Sequence, residues 1–244
     1  MNRVFYAFFL LAAFTSCAES AVETYNIQGS SSLSALDGSR LYLEIFKEDS
    51  LASRDSCEVI HGEFSFTGQL DSLMPVGSLV LGEAKAPIFI ERGDIKVSID
   101  KTGIKVSGSP LNEQLYEYLE QQLQLSNLYD ELGSRQAKML LEGKDEKTIN
   151  ALLMEEARRI ESQADSLQVS FITSHFDSML GTVAFQLLAN NVNQTLGYPF
   201  VTDQMEQILI KAPESFKRHP FVKRYLDAAQ DFMARMKGEE ETQQ

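Results

Sequence analysis

The sequence predicts an α+β protein. An N-terminal antiparallel β-sandwich or partly open barrel of about eight strands is followed by a helical region with a long helical hairpin. Three observations carry this. From Tyr25 to Ser107 apolar residues alternate with polar ones and are punctuated by turn residues, the signature of half-buried strands. Between Phe89 and Tyr118 the period changes: Ile95, Val97 and Ile99 alternate, whereas Leu111, Leu115 and Tyr118 are three and four apart. After Pro110 two long stretches keep the helical spacing and suit an antiparallel pair of helices.

In chain order, Tyr25 and Ile27 make the first strand, and Leu41, Leu43 and Ile45 share one face of the next. Arg54–Gly68 reads as a hairpin about His61-Gly62, with Cys57 and Val59 on one arm and Phe64 and Phe66 on the other. Strands over 78–82, 87–91, 95–100 and 103–107 follow, with Arg92-Gly93-Asp94 as a turn. Glu91 and Asp94 flank that turn and can cap backbone amides there.

Pro110 suits the first turn of a helix. Its apolar stripe is Leu111, Leu115, Tyr118, Leu125, Tyr129 and Leu132, and Gly143 ends it. Asp145 caps the next helix, whose seam runs Ile149, Leu153, Ala157, Ile160, Ala164, Leu167 and Phe171. The hairpin either projects as an arm or bends at Gly133 and folds back. Shorter helices are expected over 182–189, 202–210 and 216–236, with an amide-rich loop at 190–197 and a flexible tail at 237–244.

The 244 residues are 43% hydrophobic, enough for a proper core, and carry a formal charge of −13. That balance opposes binding to nucleic acid. The N-terminus is different in kind. Arg3 precedes an unbroken apolar run from Val4 to Phe14, short of the roughly 20 residues of a spanning helix. The run reads as a signal-peptide core. The Phe-Thr-Ser-Cys that follows resembles a bacterial lipobox, which implies lipidation of Cys17. The expected division is a lipoprotein signal peptide at 1–16, a lipidated tether at 17–24, the β domain at 25–109, the helical domain at 110–236 and the tail. The expected location is the cell envelope, lipid-anchored at the outer membrane, with the membrane as one partner through the lipid.

Of the 2 cysteines, Cys57 is then left without a disulfide partner and is expected to be buried on its strand. No phosphate-binding glycine loop, nucleophile elbow or metal-ligand pattern occurs, and the 3 histidines, His61, His175 and His219, lie far apart. No catalytic residue, cofactor-binding residue or metal ligand is assigned, and no cofactor is expected.

Several segments resemble a known family. Asp55 to Gly68 is similar to a hairpin of the Bacteroidetes envelope lipoproteins that carry domain of unknown function 4369. Phe89 to Ile95 resembles that family's strand pair, and Val106 to Asn112 its exit into a helix. Phe171 to Gly181 resembles the segment that precedes a thioredoxin-like domain in such proteins. That domain would start after about Lys237, and no Cys-x-x-Cys occurs, so the resemblance brings no dithiol chemistry with it.

Asp-Ser followed by Leu or Met recurs around Ser50, Ser72, Ser166 and Ser178 and is similar to an envelope O-glycosylation pattern. Ser50 and Ser72 are expected on loops, Ser178 after a helix, and Ser166 against the packed seam. The reading these features favour is a non-enzymatic binding or scaffolding lipoprotein with an envelope protein or glycan as partner. Two others stand beside it: an accessory that docks on a thioredoxin-like redox protein, and a glycan-processing enzyme of unrecognised type.

Overall fold

The computed structural model describes residues 24–47, 50–70 and 76–242. Eight strands form two four-stranded sheets that do not close into a barrel. They are β1 (Thr24–Ser31), β2 (Arg40–Lys47), β3 (Ser50–Glu58), β4 (Glu63–Gln69), β5 (Val76–Leu81), β6 (Ala84–Phe89), β7 (Gly93–Asp100) and β8 (Gly103–Ser107). One sheet has the order β4-β1-β7-β8 and the other β3-β2-β5-β6. All neighbours are antiparallel except β1 and β7, which run parallel with Ile27 opposite Ile95. A parallel pair needs a long crossover, and here the other strands between them supply it.

The hairpin expected over 54–68 is divided between the sheets. β3 pairs with β2, and β4 pairs with β1. Between the two arms Ile60 and Glu63 bridge, through reciprocal backbone hydrogen bonds of 2.9 and 3.0 Å. His61 (φ 53°) and Gly62 (φ 77°) make this turn left-handed, as a two-residue primed turn requires. The turn docks on the end of β1, where Ser31 N donates to Gly62 O at 2.7 Å. Alternation fixes a turn but not the neighbour each strand then takes.

Helix α1 (Pro110–Leu141) and α2 (Glu146–Ser174) form the hairpin. Asp145 caps α2, accepting from Thr148 N at 3.0 Å. α3 (Met179–Leu196), α4 (Asp203–Lys211), α5 (Glu214–Lys217) and α6 (Pro220–Thr242) follow. Two segments expected to be irregular are helical. The amide-rich stretch 190–196 belongs to α3, which buries Leu188, Ala189 and Val192 and ends at Gly197 (φ 81°). Lys237–Thr242 continue α6.

One cluster of buried residues runs from Tyr25 in β1 to Tyr225 in α6 and includes Leu115 and Tyr118 of α1 and Ile172 of α2. A second, smaller cluster of Leu132, Ile149, Leu153 and Ile160 lies within the outer part of the hairpin. α1 passes Gly133 unbroken, and at 32 residues it is about 48 Å long. The hairpin therefore extends as an arm with a core of its own. Tyr129, placed on the core stripe by its spacing, is exposed. Two packed helices bury only a narrow seam, which takes Leu132 and leaves the larger Tyr129 side chain at its margin.

Candidate functional site

The segments that carry the family resemblance prove to be joints. Asn112, fully buried at the start of α1, treats the edge of β6 as a neighbouring strand would. Its Oδ1 accepts from Phe89 N at 2.9 Å, and its Nδ2 donates to Phe89 O at 2.7 Å and to Ser109 Oγ at 2.8 Å. Glu91 takes the place of an N-cap side chain, accepting from Leu111 N (3.1 Å) and Asn112 N (3.4 Å) with one oxygen. Tyr116 OH donates to Pro87 O at 3.0 Å. The edge of β6 is thereby covered by α1, which removes a template for strand pairing. In the 55–68 segment, Gly68 lies opposite Tyr25, and Phe64 opposite Gly29, each ring resting on its glycine. In the 171–181 segment Phe171 stacks on Tyr118 with centroids 4.2 Å apart, and Gly181 lies hard against the His175 carbonyl.

Cys57 is half-buried rather than buried. β3 is the outer strand of its sheet, so the thiol packs on the core with one side only. Desolvation still pushes its pKa up, to about 11. A neutral thiol is a poor nucleophile. Labelling by a thiol reagent is expected to be slow at neutral pH and to rise about tenfold per pH unit until near pH 11. Rapid labelling at pH 7 would contradict this. The linked stability is fully present below the ordinary value of 9.0 and is lost as pH rises through about 11, because the unfolded chain gives up this proton first.

Of the residues singled out for modification, Cys17 and Ser72 lie outside the described residues. Ser50 is the first residue of β3, paired with Lys47, and not on a loop. Ser178 is half-buried and caps α3, accepting from Leu180 N at 3.2 Å. Ser166, expected against the seam, is exposed. His61 forms a turn and His175 ends α2. His219 is half-buried, and its burial holds its pKa below the ordinary value. Among the described residues no group of three or more His, Cys, Asp or Glu is placed to hold a metal ion. No described helix is long and apolar enough to cross a membrane.

The arm carries the surface that most invites a partner. A groove of about 420 Å³ runs between α1 and α2, with Tyr129, Gly133 and Gln136 on one side and Asn150, Met154 and Ala157 on the other. No lining residue is charged. Tyr129 is 46% and Met154 57% exposed, so each stands up as an apolar knob. A Cβ on Gly133 would meet nothing within 4 Å, so the groove is open there. Gln136 Nε2 donates to Asn150 Oδ1 at 3.1 Å across it. Nearby charges pair with each other instead: Glu156 takes Arg135 at 2.5 Å and Arg159 at 3.8 Å. Sequence reasoning missed this groove because Tyr129 fits the core stripe and Gly133 reads as a hinge.

Fold and surface together define a two-sheet sandwich with a helical arm, joined through residues of a family motif. Residues 25–115 match the family model described as "Domain of unknown function (DUF4369)", so the chain carries that domain at its N-terminus. The match ends just past Asn112, at the joint with α1. No curated protein and no solved structure matches the chain.

Proposed function

We propose that this is a membrane-anchored envelope lipoprotein that binds or scaffolds another envelope protein and performs no covalent chemistry. The observation that carries it is the uncharged groove on the arm. Exposed Tyr129 and Met154 flank an open floor, in a chain whose net charge of −13 keeps most other surfaces apart by repulsion. The partner that suits it is a protein segment presenting an apolar, uncharged helix face, laid into the groove. The anchor rests on the apolar run before Cys17 and on the acyl chains that a lipobox cysteine acquires, which hold a protein at a membrane without a spanning helix.

A photo-reactive residue placed at Met154, in the native host, tests this. One discrete crosslinked envelope protein is expected from position 154 and none from Arg159, which lies among the paired charges. Equal adducts from both positions, or none from either, would reject the groove. In the same cells Cys17→Ala is expected to move the protein out of the membrane fraction. Unchanged fractionation would remove the anchor from the reading.

A further inference from the structure

A second surface, remote from the arm groove in sequence, has the chemistry of a ligand site. Gln186, Asn190 and Asn193 are four and three residues apart on α3, so they share one side of that helix. With the rings of Phe185, Phe221 and Tyr225 they line a cleft of about 230 Å³ between α3 and α6. The Tyr225 hydroxyl is already committed, donating to Phe200 O at 2.8 Å and accepting from Phe200 N at 3.2 Å, so only its ring faces a ligand. Asn193 Oδ1 is buried and has no hydrogen-bond partner. Such an acceptor costs stability, and a native structure that keeps one calls for an explanation.

We infer that this cleft binds a single neutral pyranose residue of a glycan. Each carboxamide supplies both donors and an acceptor, and adjacent sugar hydroxyls likewise donate and accept. The orphaned Asn193 oxygen is closed off as it stands and becomes an acceptor for an O–H when the side-chain amide turns into the cleft. The half-buried Phe221 ring suits the apolar face of a sugar ring, with the buried Phe185 and Tyr225 rings behind it. The volume lies below the roughly 300 Å³ at which ordinary small-molecule pockets begin, so it holds one ring and no more. No Asp or Glu lines the cleft, so the carboxylate pair of glycoside hydrolysis is missing from it, and the site binds without cleaving. Arg224 is the one charged residue lining the cleft, and its guanidinium lies over the Phe221 ring, 6.0 Å from the centroid; the chain's charge of −13 opposes an acidic glycan, which favours a neutral one.

The experiment is an NMR titration of the side-chain amide signals of Gln186, Asn190 and Asn193. The probes are glucose, galactose, mannose and N-acetylglucosamine, with glucuronate as the acidic comparison. At least one neutral sugar is expected to shift all three signals saturably at millimolar concentration, and glucuronate to bind at least tenfold more weakly. Asn193→Leu is expected to weaken binding at least tenfold while leaving the melting temperature unchanged or raised, because it removes an unsatisfied buried oxygen. Asn190→Ala, on an exposed position, provides a second variant with the same loss. No shift with any neutral sugar, a preference for glucuronate, or undiminished binding by both variants would overturn the proposal. Its failure leaves the arm groove untouched, since the signals read and the residues changed all lie on α3 and none on α1 or α2.

Discussion

Asn112→Ala is expected to destabilise the protein by about 3 kcal/mol, because it strands both backbone groups of one residue. Phe89 N–H and C=O each have their partner in the Asn112 side chain, and both Phe89 and Asn112 are fully buried. Water cannot replace that partner without entering the joint between β6, β8 and α1. Asn112→Asp is expected to be no better. It keeps an acceptor for Phe89 N but sets an acceptor against Phe89 O, and it buries a charge. Glu91→Gln should cost far less, about 0.5–1 kcal/mol, since the amide oxygen can still accept from Leu111 N and Asn112 N and only the charge at the helix start is lost. Urea unfolding of the three variants measures all of this. An Asn112→Ala midpoint within error of wild type would show that the joint is not held by this side chain. A Glu91→Gln loss equal to that of Asn112→Ala would shift the burden to the cap.

These residues also show what the sequence could and could not disclose. The strands were legible because Ile95, Val97 and Ile99, or Phe64 and Phe66, repeat at period two, and burial on one face demands that period. Glu91 was legible as a cap because a carboxylate beside a turn has few other uses. Its client was not, since the amides it caps lie 20 and 21 residues away. The 54–68 segment has sound turn chemistry, yet the turn ends in two sheets, a choice made by β1 and β2 and not by local residues. Asn190, Asn191 and Asn193 look like loop because asparagine is a weak helix former. They are held helical by the burial of Leu188, Ala189 and Val192 beside them. The arm groove and the α3–α6 cleft are juxtapositions of residues distant in sequence, and periodicity within one helix carries no record of what its neighbour presents.

The arm offers the sharpest separation of local from global stability. Ile149 and Ile172 are the same residue on the same helix, and both are 0% exposed. Ile172 belongs to the main core and Ile149 to the small cluster in the arm. Replacing either with Ala removes a similar apolar volume, at a cost of about 3 kcal/mol to the structure that surrounds it. The consequences should differ. Ile172→Ala is expected to shift the whole unfolding transition, since its cluster joins strands of both sheets to α1, α3 and α6. Ile149→Ala is expected to open the arm while the sandwich stays folded. Amides around Leu132 and Leu153 should then exchange about 100-fold faster, and those of β1 and β7 at the wild-type rate. Hydrogen exchange followed residue by residue reads both effects in one experiment. If Ile149→Ala speeds exchange in β1 and β7 as much as in the arm, the two cores unfold together, and α1 transmits the loss along its length. If only the arm responds, its packing can be altered without disturbing the body. Substitutions at Tyr129 or Met154 then report on binding and not on folding.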